Sequence, residues 1–224
     1  HEITGLQHYR ELVLALRDKK LLPALLFCLD RKKVEKIARH LAFQEGLMEV
    51  SEESKAAIEK VLPELAFSEP MGKSLGLFDM LRRGIGVHHA DLSSQWRMEI
   101  EGLFRDKHLS IVVATSTLAV GIHMPCKTVV FCGDNAKHLS VAGFQQMAGR
   151  AGRQGIKMAA SEVVIKEPAL ENSSAFGAGE KPVAAEIGTV VLFGGFTKER
   201  TEHLMTQPAH FEEQDFFDTG AVLS

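Results

Sequence analysis

Residues 110–121 read SIVVATSTLAVG, and the apolar run at the start of this stretch decides the fold. A short, continuous apolar run bounded by polar residues is typical of a strand that is buried on both faces. Similar runs predict further strands at residues 24–29, 85–90, 128–132 and 189–193. Strands that alternate with helices over short connections predict an α/β fold with a mostly parallel sheet and helices on both faces.

The segments between these strands carry the residue spacing of amphipathic helices. In residues 31–45, Val34, Ile37 and Leu41 recur on one side of a helix. Ser51 is placed to cap another helix through its hydroxyl oxygen. Helices are predicted at residues 3–20, 31–45, 51–67, 75–83, 93–104 and 197–205.

The composition is that of an ordinary globular protein of 224 residues. Its 29 acidic residues slightly outnumber its 26 basic residues, so any nucleic-acid contact must be local. Cys28, Cys126 and Cys132 show no CxxC spacing, so we expect buried, reduced thiols in a cytoplasmic or nuclear protein. No run approaches the roughly 20 apolar residues of a membrane span, so no membrane partner is expected. The missing initiator Met is expected of a piece of a longer protein.

Residues 146–153, QMAGRAGR, set two arginines and a glutamine among small residues. If the segment is helical, Gln146, Arg150 and Arg153 fall at i, i+4 and i+7 and project from one face. Small residues let a second surface approach, and two permanently charged, planar guanidiniums suit the terminal oxygens of a triphosphate. The alternative is a surface helix whose arginines pair with carboxylates. Such a helix would rarely carry these glycines, because each costs about 1 kcal/mol relative to alanine.

Thr115 ends the predicted strand at residues 110–115, and Ser116 and Thr117 follow it. They therefore lie at the carboxyl end of a parallel strand, where open α/β sheets place their ligands. Their hydroxyls and backbone N–H groups can hold a nucleic-acid phosphate without reading the base. They can also cap the next helix, and the two roles are compatible.

His88 and His89 are neighbours in the predicted strand at residues 85–90. Adjacent strand residues face opposite sides, so the two imidazoles cannot chelate one ion and no metal site is predicted. One structural histidine and one that contacts a nucleic-acid backbone are expected instead. Residues 72–74, Gly-Lys-Ser, imitate a phosphate-binding loop. The full pattern needs a glycine where Phe67 stands, so this loop is rejected.

Four motifs, in order along the chain, resemble those of one family. Residues 26–31 (LFCLDR) lie where its motif IV strand ends, and residues 87–90 (VHHA) resemble its Val-His-His-Ala-Gly-Leu signature. Residues 114–125 (ATSTLAVGIHMP) resemble motif V, and residues 146–153 resemble motif VI. Together they are similar to the C-terminal RecA-like lobe of the superfamily 2, Ski2-like DExH-box helicases. Residues 22–31 also resemble the antiviral DExD/H-box branch of that group.

The resemblance implies an ATP-dependent helicase, an NTP hydrolase, of which this chain holds half the active site. It implies that Arg150 and Arg153 meet the γ-phosphate as arginine fingers and that Gln146 orients the hydrolytic region. Nucleotide contacts are implied for Gly121, His123 and Gly149. Nucleic-acid contacts are implied for Arg31, His89, Thr115, Ser116 and Thr117. Asp91 and His123 depart from the family pattern, which has Gly at the first position and Asn or Asp at the second.

The implied cofactors are ATP and Mg²⁺. The sequence contains neither a phosphate-binding loop nor an acidic pair for the metal, so both are expected in an N-terminal RecA-like lobe of the same protein. The implied second partner is a nucleic-acid backbone, RNA rather than DNA. A DNA helicase lobe and a non-catalytic RecA-like module that binds nucleic acid or protein are the alternatives, and the two arginines argue against the second.

Residues 1–206 are predicted to form one domain, with residues 207–224 as a tail or a linker to a following domain. Residues 159–187 are rich in Ser, Gly, Pro and Glu where the family has a short turn, so we predict an insertion. Loops of this length are usually functional or flexible, and loop-closure entropy grows slowly with length. Replacing residues 161–185 with a short Gly/Ser linker is therefore expected to leave the thermal midpoint within a few degrees.

Overall fold

The computed structural model describes residues 2–72, 75–115, 126–132, 138–151, 162–166, 189–194 and 198–206. The strands are β1 (Ala24–Phe27), β2 (Ile85–His88), β3 (Ile111–Ala114), β4 (Thr128–Cys132), β5 (Glu162–Lys166) and β6 (Thr189–Phe193). The helices are α1 (Glu2–Asp18), α2 (Arg31–Ala42), α3 (Glu52–Ser68), α4 (Leu77–Arg82), α5 (Ser94–Arg105), α6 (Val141–Ala148) and α7 (Lys198–Thr206), with a 3-10 turn at Pro70–Gly72.

The strands form one six-stranded sheet in the order β2-β3-β1-β4-β6-β5. Every pair of neighbours in it is parallel. All residues of β1, β2, β3, β4 and β6 are buried. Strands covered on both faces carry apolar side chains at most positions, which explains the nearly continuous apolar runs in the sequence. The predicted RecA-like α/β fold is confirmed.

Helices cover both faces of the sheet, as predicted. Residues at the same register level of adjacent parallel strands project to the same face, and one such row joins His88, Ala114, Phe27 and Phe131. Phe131 packs on Phe144 of α6, with ring centroids 4.8 Å apart, so this side is called the α6 face. On the opposite side Phe193 packs on Tyr9 of α1 at 4.9 Å, and this side is called the α1 face.

The helix caps follow the sequence. Ser51 accepts a hydrogen bond from the N–H of Ser54 at 3.1 Å, and Ser93 accepts one from the N–H of Trp96 at 3.1 Å. The helix α3 continues through Pro63 to Ser68. All three cysteines are buried, free thiols. Among the described helices, none is both long and apolar enough to cross a membrane.

The predicted insertion at residues 159–187 contains one described strand. Residues Glu162–Lys166 form β5 and pair with β6 in register, Glu162 opposite Thr189 and Lys166 opposite Phe193. A row of Val and Ile residues has high strand propensity, and β6 offers it an open edge. The remainder of the predicted insertion lies outside the described residues, as does the predicted tail at 207–224.

The stability of two replacement variants separates β5 from the rest of this segment. Replacing residues 161–185 with a short Gly/Ser linker removes β5 and is now expected to lower the thermal midpoint by several degrees, because β6 loses its outer neighbour. Replacing residues 168–186 with a Gly/Ser linker of a dozen residues keeps β5. It is expected to leave the midpoint nearly unchanged, since a parallel crossover needs about that length. Equal midpoints for both variants would show that β5 adds no stability.

Candidate nucleotide and nucleic-acid site

The ends of β1, β2 and β3 bring three of the predicted residues to one edge of the sheet. Parallel strands end at the same edge of a sheet. Arg31 comes shortly after the end of β1, His89 directly follows β2 and Thr115 directly follows β3, so all three lie at this edge. Open α/β sheets bind ligands at this edge. It is called the carboxyl edge below. The predicted nucleic-acid residues Ser116 and Thr117 follow Thr115 but lie outside the described residues.

Arg31 is the first residue of α2 and lies at the carboxyl edge. Asp30 caps the helix by accepting a hydrogen bond from the N–H of Lys32 at 2.8 Å. The Arg31 guanidinium forms a salt bridge with Asp91, and both side chains are about half exposed. Exposed ion pairs contribute little free energy, typically below about 1 kcal/mol. A phosphate can therefore compete with Asp91 for Arg31, and Asp91 does not stand alone as a repelling charge.

His88 and His89 point to opposite faces, as predicted. On the α6 face, His88 Nε2 lies 2.8 Å from Glu101 Oε1 of α5. On the α1 face, His89 Nε2 lies 3.0 Å from Glu35 Oε1 of α2. Burial lowers the pKa of both imidazoles, although the hydrogen bonds to the carboxylates oppose it. Both rings are therefore neutral near pH 7 and donate from Nε2 to the carboxylates.

The surroundings of His89 and Thr115 limit which groups of these two residues can contact a nucleic acid. The His89 residue is only 3% exposed, so its side chain offers little surface to a nucleic acid. The Thr115 N–H donates to the His88 carbonyl oxygen at 3.0 Å. This N–H is therefore already engaged, whereas the sequence had suggested that it could donate to a phosphate. The buried His89 side chain and the Thr115 N–H are therefore poorly placed to contact a nucleic acid.

The prediction that residues 146–153 form one helix is wrong for residues 149–151. Gly149 is the C-cap of α6, and its N–H still donates to the Gln145 carbonyl at 2.9 Å. The chain then turns, and Ala151 forms a parallel bridge with Cys126. Glycine favours the end of a helix, and the pairing with Cys126 supplies the extended partner. Gln146 is thus in the last turn of α6, whereas Arg150 lies in the turn after it.

The backbone around Arg150 is fixed by Cys126. The Arg150 carbonyl accepts hydrogen bonds from the Cys126 N–H at 3.3 Å and from the Cys126 thiol at 3.5 Å. Cys126 precedes β4, so this turn lies at the edge where the strands begin, opposite the carboxyl edge. The structure therefore separates Gln146, Gly149 and Arg150 from the residues near Arg31. Arg153, Gly121 and His123 lie outside the described residues.

The electrostatic environment of Arg150 is that of a partly buried cation. Burial lowers the pKa of its guanidinium, while Cys126 and the Glu101 carboxylate oppose that effect. Neither Glu101 nor Glu35 was predicted from the sequence. The one available signal is a carboxylate beside the apolar stripe of α5, next to the buried Ile100.

The buried histidines predict how stability depends on pH. Burial is the largest cause of the lowered pKa of His40, His88 and His89, so each has a folded pKa below its unfolded value near 6.5. Below about pH 6.5 the unfolded chain binds more protons, so the free energy of unfolding falls as the pH decreases through the folded pKa values. The thermal midpoint is expected to fall by a few degrees between pH 7.5 and 5.5.

The double variant His88→Gln/His89→Gln provides the comparison. Its midpoint at pH 7.5 is expected to be lower than that of the unmodified protein, but its change between pH 7.5 and 5.5 should be smaller. This range lies above the ordinary pKa values of carboxylates, so those groups contribute little to the slope. An unchanged slope in the double variant would assign the pH dependence to other groups.

Comparison with known proteins connects this geometry to a family. Residues 72–155 match the helicase conserved C-terminal domain. The human protein called probable ATP-dependent RNA helicase DDX60-like is 39% identical over 145 residues, covering 57% of this chain and 8% of that protein. The antiviral helicase SKI2 of Saccharomyces cerevisiae is 32% identical over 166 residues, covering 69% of this chain and 13% of that protein.

A relative from a plant is also named as a helicase. The DExH-box ATP-dependent RNA helicase DExH9 of Arabidopsis thaliana is 30% identical over 173 residues, covering 70% of this chain and 17% of that protein. The chain thus spans less than a fifth of the length of each of these three relatives. The resemblance to the Ski2-like DExH-box helicases is confirmed by these relatives and by the match of residues 72–155 to the helicase conserved C-terminal domain.

Proposed function

We propose that this domain is the second, C-terminal motor lobe of an ATP-dependent RNA helicase, and that Arg150 and Arg153 are its arginine fingers. The observation that carries the proposal is the position of Arg150. It lies within the matched region 72–155, its backbone is bonded to Cys126, and its guanidinium is partly buried. Residues 1–206 form this lobe in the proposal, and residues 207–224 lead away from it. A cytoplasmic or nuclear protein fits this role.

The described residues near Arg150 suit a phosphate. The Arg150 guanidinium carries a permanent charge and several N–H donors in one plane. Gly149 beside it has no side chain to obstruct a ligand. ATP supplies the phosphoryl group whose transfer to water drives such a motor. Arg150 and Arg153 would then balance the charge on the departing phosphate, Gln146 would orient the hydrolytic region, and Gly121, His123 and Gly149 would contact the nucleotide.

The same residues do not suit Mg²⁺. The described part of the chain contains no group of three His, Cys, Asp or Glu side chains that could hold a metal ion. We therefore assign the Mg²⁺ ligands and the phosphate-binding loop to a preceding RecA-like lobe of the same protein. In this proposal the reaction requires both lobes, and closure of the cleft between them brings Arg150 to the phosphate.

The carboxyl edge is the proposed contact for the RNA backbone. Arg31 would exchange Asp91 for a phosphate, and the hydroxyls of Thr115, Ser116 and Thr117 would donate to phosphate oxygens. His89 would contribute through the backbone beside it, because its own side chain is buried. Contacts of this kind position the strand and carry no sequence information.

A first test uses this chain alone. The purified 224-residue protein is expected to show no ATP hydrolysis with or without RNA, because it holds only half of the required groups. Phosphate release is the measurement, and a preparation of Arg150→Ala made in parallel serves as the control for contaminating enzymes. Turnover that disappears in the Arg150→Ala preparation would contradict the half-site proposal.

A second test uses the protein with both lobes. Arg150→Ala and Arg153→Ala are each expected to reduce ATP turnover by about 10³-fold while leaving ATP binding largely intact, the scale of an arginine finger. The matched control is Arg82→Ala, because Arg82 is exposed, pairs with Glu59 at 2.7 Å and lies outside the proposed site. The control should keep near-normal turnover.

Near-normal turnover in Arg150→Ala or Arg153→Ala would remove that residue from the proposed site. The same assay compares nucleic acids as activators. Stimulation by single-stranded RNA supports the proposal, whereas stimulation by DNA alone would identify a DNA helicase lobe. ATP turnover that neither activator changes, together with retained RNA binding, would favour the interaction module.

A further inference from the structure

We propose that the outward face of α2 is a second binding surface for single-stranded nucleic acid, which continues the path of the strand from the carboxyl edge toward the opposite edge of the sheet. The surface consists of Lys32, Lys36, Arg39 and Phe43, and it is called the α2 surface. It goes beyond the proposed function, which places nucleic acid at the carboxyl edge, and rests on that function only for the class of ligand.

The four residues of the α2 surface share one side of the helix. They stand at positions i, i+4, i+7 and i+11, and residues at these spacings lie above one another along a helix. Lys32, Lys36 and Arg39 are exposed, and Phe43 is 48% exposed. At a rise of 1.5 Å per residue the surface is about 17 Å long. That is the length of about five phosphates at the roughly 3.4 Å spacing of a stacked strand.

The charge of α2 differs in sign from that of the whole chain. The helix holds five Lys or Arg residues and one Glu, whereas the chain has 29 acidic and 26 basic residues. The one carboxylate of the helix, Glu35, lies 3.0 Å from His89 Nε2 and is engaged there. The helix α3, by contrast, holds four Glu and two Lys residues. A row of cations along one helix of an acidic chain is the electrostatic footprint of a nucleic-acid backbone.

Arg39 is held in place without losing its charge. Its Nη2 atom donates a hydrogen bond to the Leu75 carbonyl oxygen at 2.6 Å. This acceptor is neutral, so the guanidinium keeps its positive charge, and it has further N–H donors for a phosphate. The hydrogen bond restricts the side chain before a ligand arrives, so less conformational entropy is lost when a phosphate binds.

The α2 surface ends in an exposed aromatic ring. Phe43 is the C-cap of α2, and the Arg83 guanidinium carbon lies 4.9 Å from the centroid of its ring. Arg83 shortly precedes β2, so this end of the surface lies toward the edge where the strands begin. Unpaired bases stack on aromatic rings and on guanidinium planes. The ring favours a nucleic acid over an acidic protein, because carboxylates need only the cations.

The α2 surface is continuous with the proposed site at the carboxyl edge. The helix begins at that edge with Arg31, the residue whose partner Asp91 a phosphate can replace. Lys32 is the next residue of the chain. A strand that leaves Arg31 therefore meets the exposed cations of α2 in their order along the helix and reaches the aromatic ring last.

Binding of a fluorescent oligouridine of about 12 nucleotides to the 224-residue protein tests this surface. Lys32→Gln/Lys36→Gln is expected to weaken binding about 10-fold. It should also reduce the slope of log K against log salt concentration by about 1.4, because each phosphate contact on a single strand contributes about 0.7. Phe43→Ala is expected to weaken binding about 10-fold at an unchanged slope, since stacking involves no counterion. With an abasic oligonucleotide of equal length, Phe43→Ala should cause no loss.

The controls match each change outside the α2 surface. Lys60→Gln/Lys107→Gln removes two exposed lysines, and Phe67→Ala removes an exposed ring from α3. Both should keep the affinity and the slope, and Lys32→Arg/Lys36→Arg, which conserves the charge, should bind like the unmodified protein. Equal losses in the controls, or full binding in the α2 variants, would overturn the proposal. So would an unmodified protein that does not bind the oligouridine.

Two further arms of the assay separate this surface from the carboxyl edge and from a protein partner. A loss in Arg31→Gln alone keeps the contact of the proposed function and overturns the α2 surface, whereas losses in the α2 variants alone keep the α2 surface and remove the carboxyl-edge contact. Sodium polyglutamate is the probe for an acidic protein. Binding as tight as that of oligouridine, weakened by Lys32→Gln/Lys36→Gln but not by Phe43→Ala, would assign an acidic protein and overturn the proposal.

Discussion

The pairing of β1 between β3 and β4 is the constraint on which the rest of the structure depends. Ala24 is level with both Ile111 and Thr128, so the three central strands share one register. A shift by one residue would send every buried side chain to the opposite face. The shared register also determines that Arg31 and Thr115 emerge at the same edge. The proposed nucleic-acid contacts are thus a result of strand pairing more than of loop conformation.

The same register explains why two adjacent histidines have different partners. His88 is the last residue of β2 and belongs to the row that faces α6, so the next residue faces α1 and α2. Each imidazole meets a carboxylate from the helix on its own face. Burial of both pairs makes them sensitive to acid, and it ties the two helix layers to the end of one strand. This edge of the sheet is therefore braced from both sides.

Most of the fold could be predicted from the sequence, because buried parallel strands leave a local signal. The runs at residues 24–29 and 128–132 match β1 and β4 closely, and Ser51 and Ser93 cap the expected helices. The end of α6 could not be predicted, since it depends on the pairing of Ala151 with Cys126, which is distant in sequence. β5 was missed because its short apolar row lies among polar residues. Glu101 and Glu35 have no local pattern that announces their histidine partners.

The bridge between Cys126 and Ala151 has a mechanical consequence. It joins the turn after α6 to the start of a central strand, so the backbone of Arg150 moves with the sheet as one solid piece. An arginine on an independent loop could move separately from the rest of the lobe. The backbone of Arg150 is bonded to the start of β4, so we expect it to move together with the lobe. Under the proposed function, the docking of the two lobes then sets the rate of hydrolysis. Any partner that changes the orientation of the lobe would change the rate of hydrolysis without contacting the arginine.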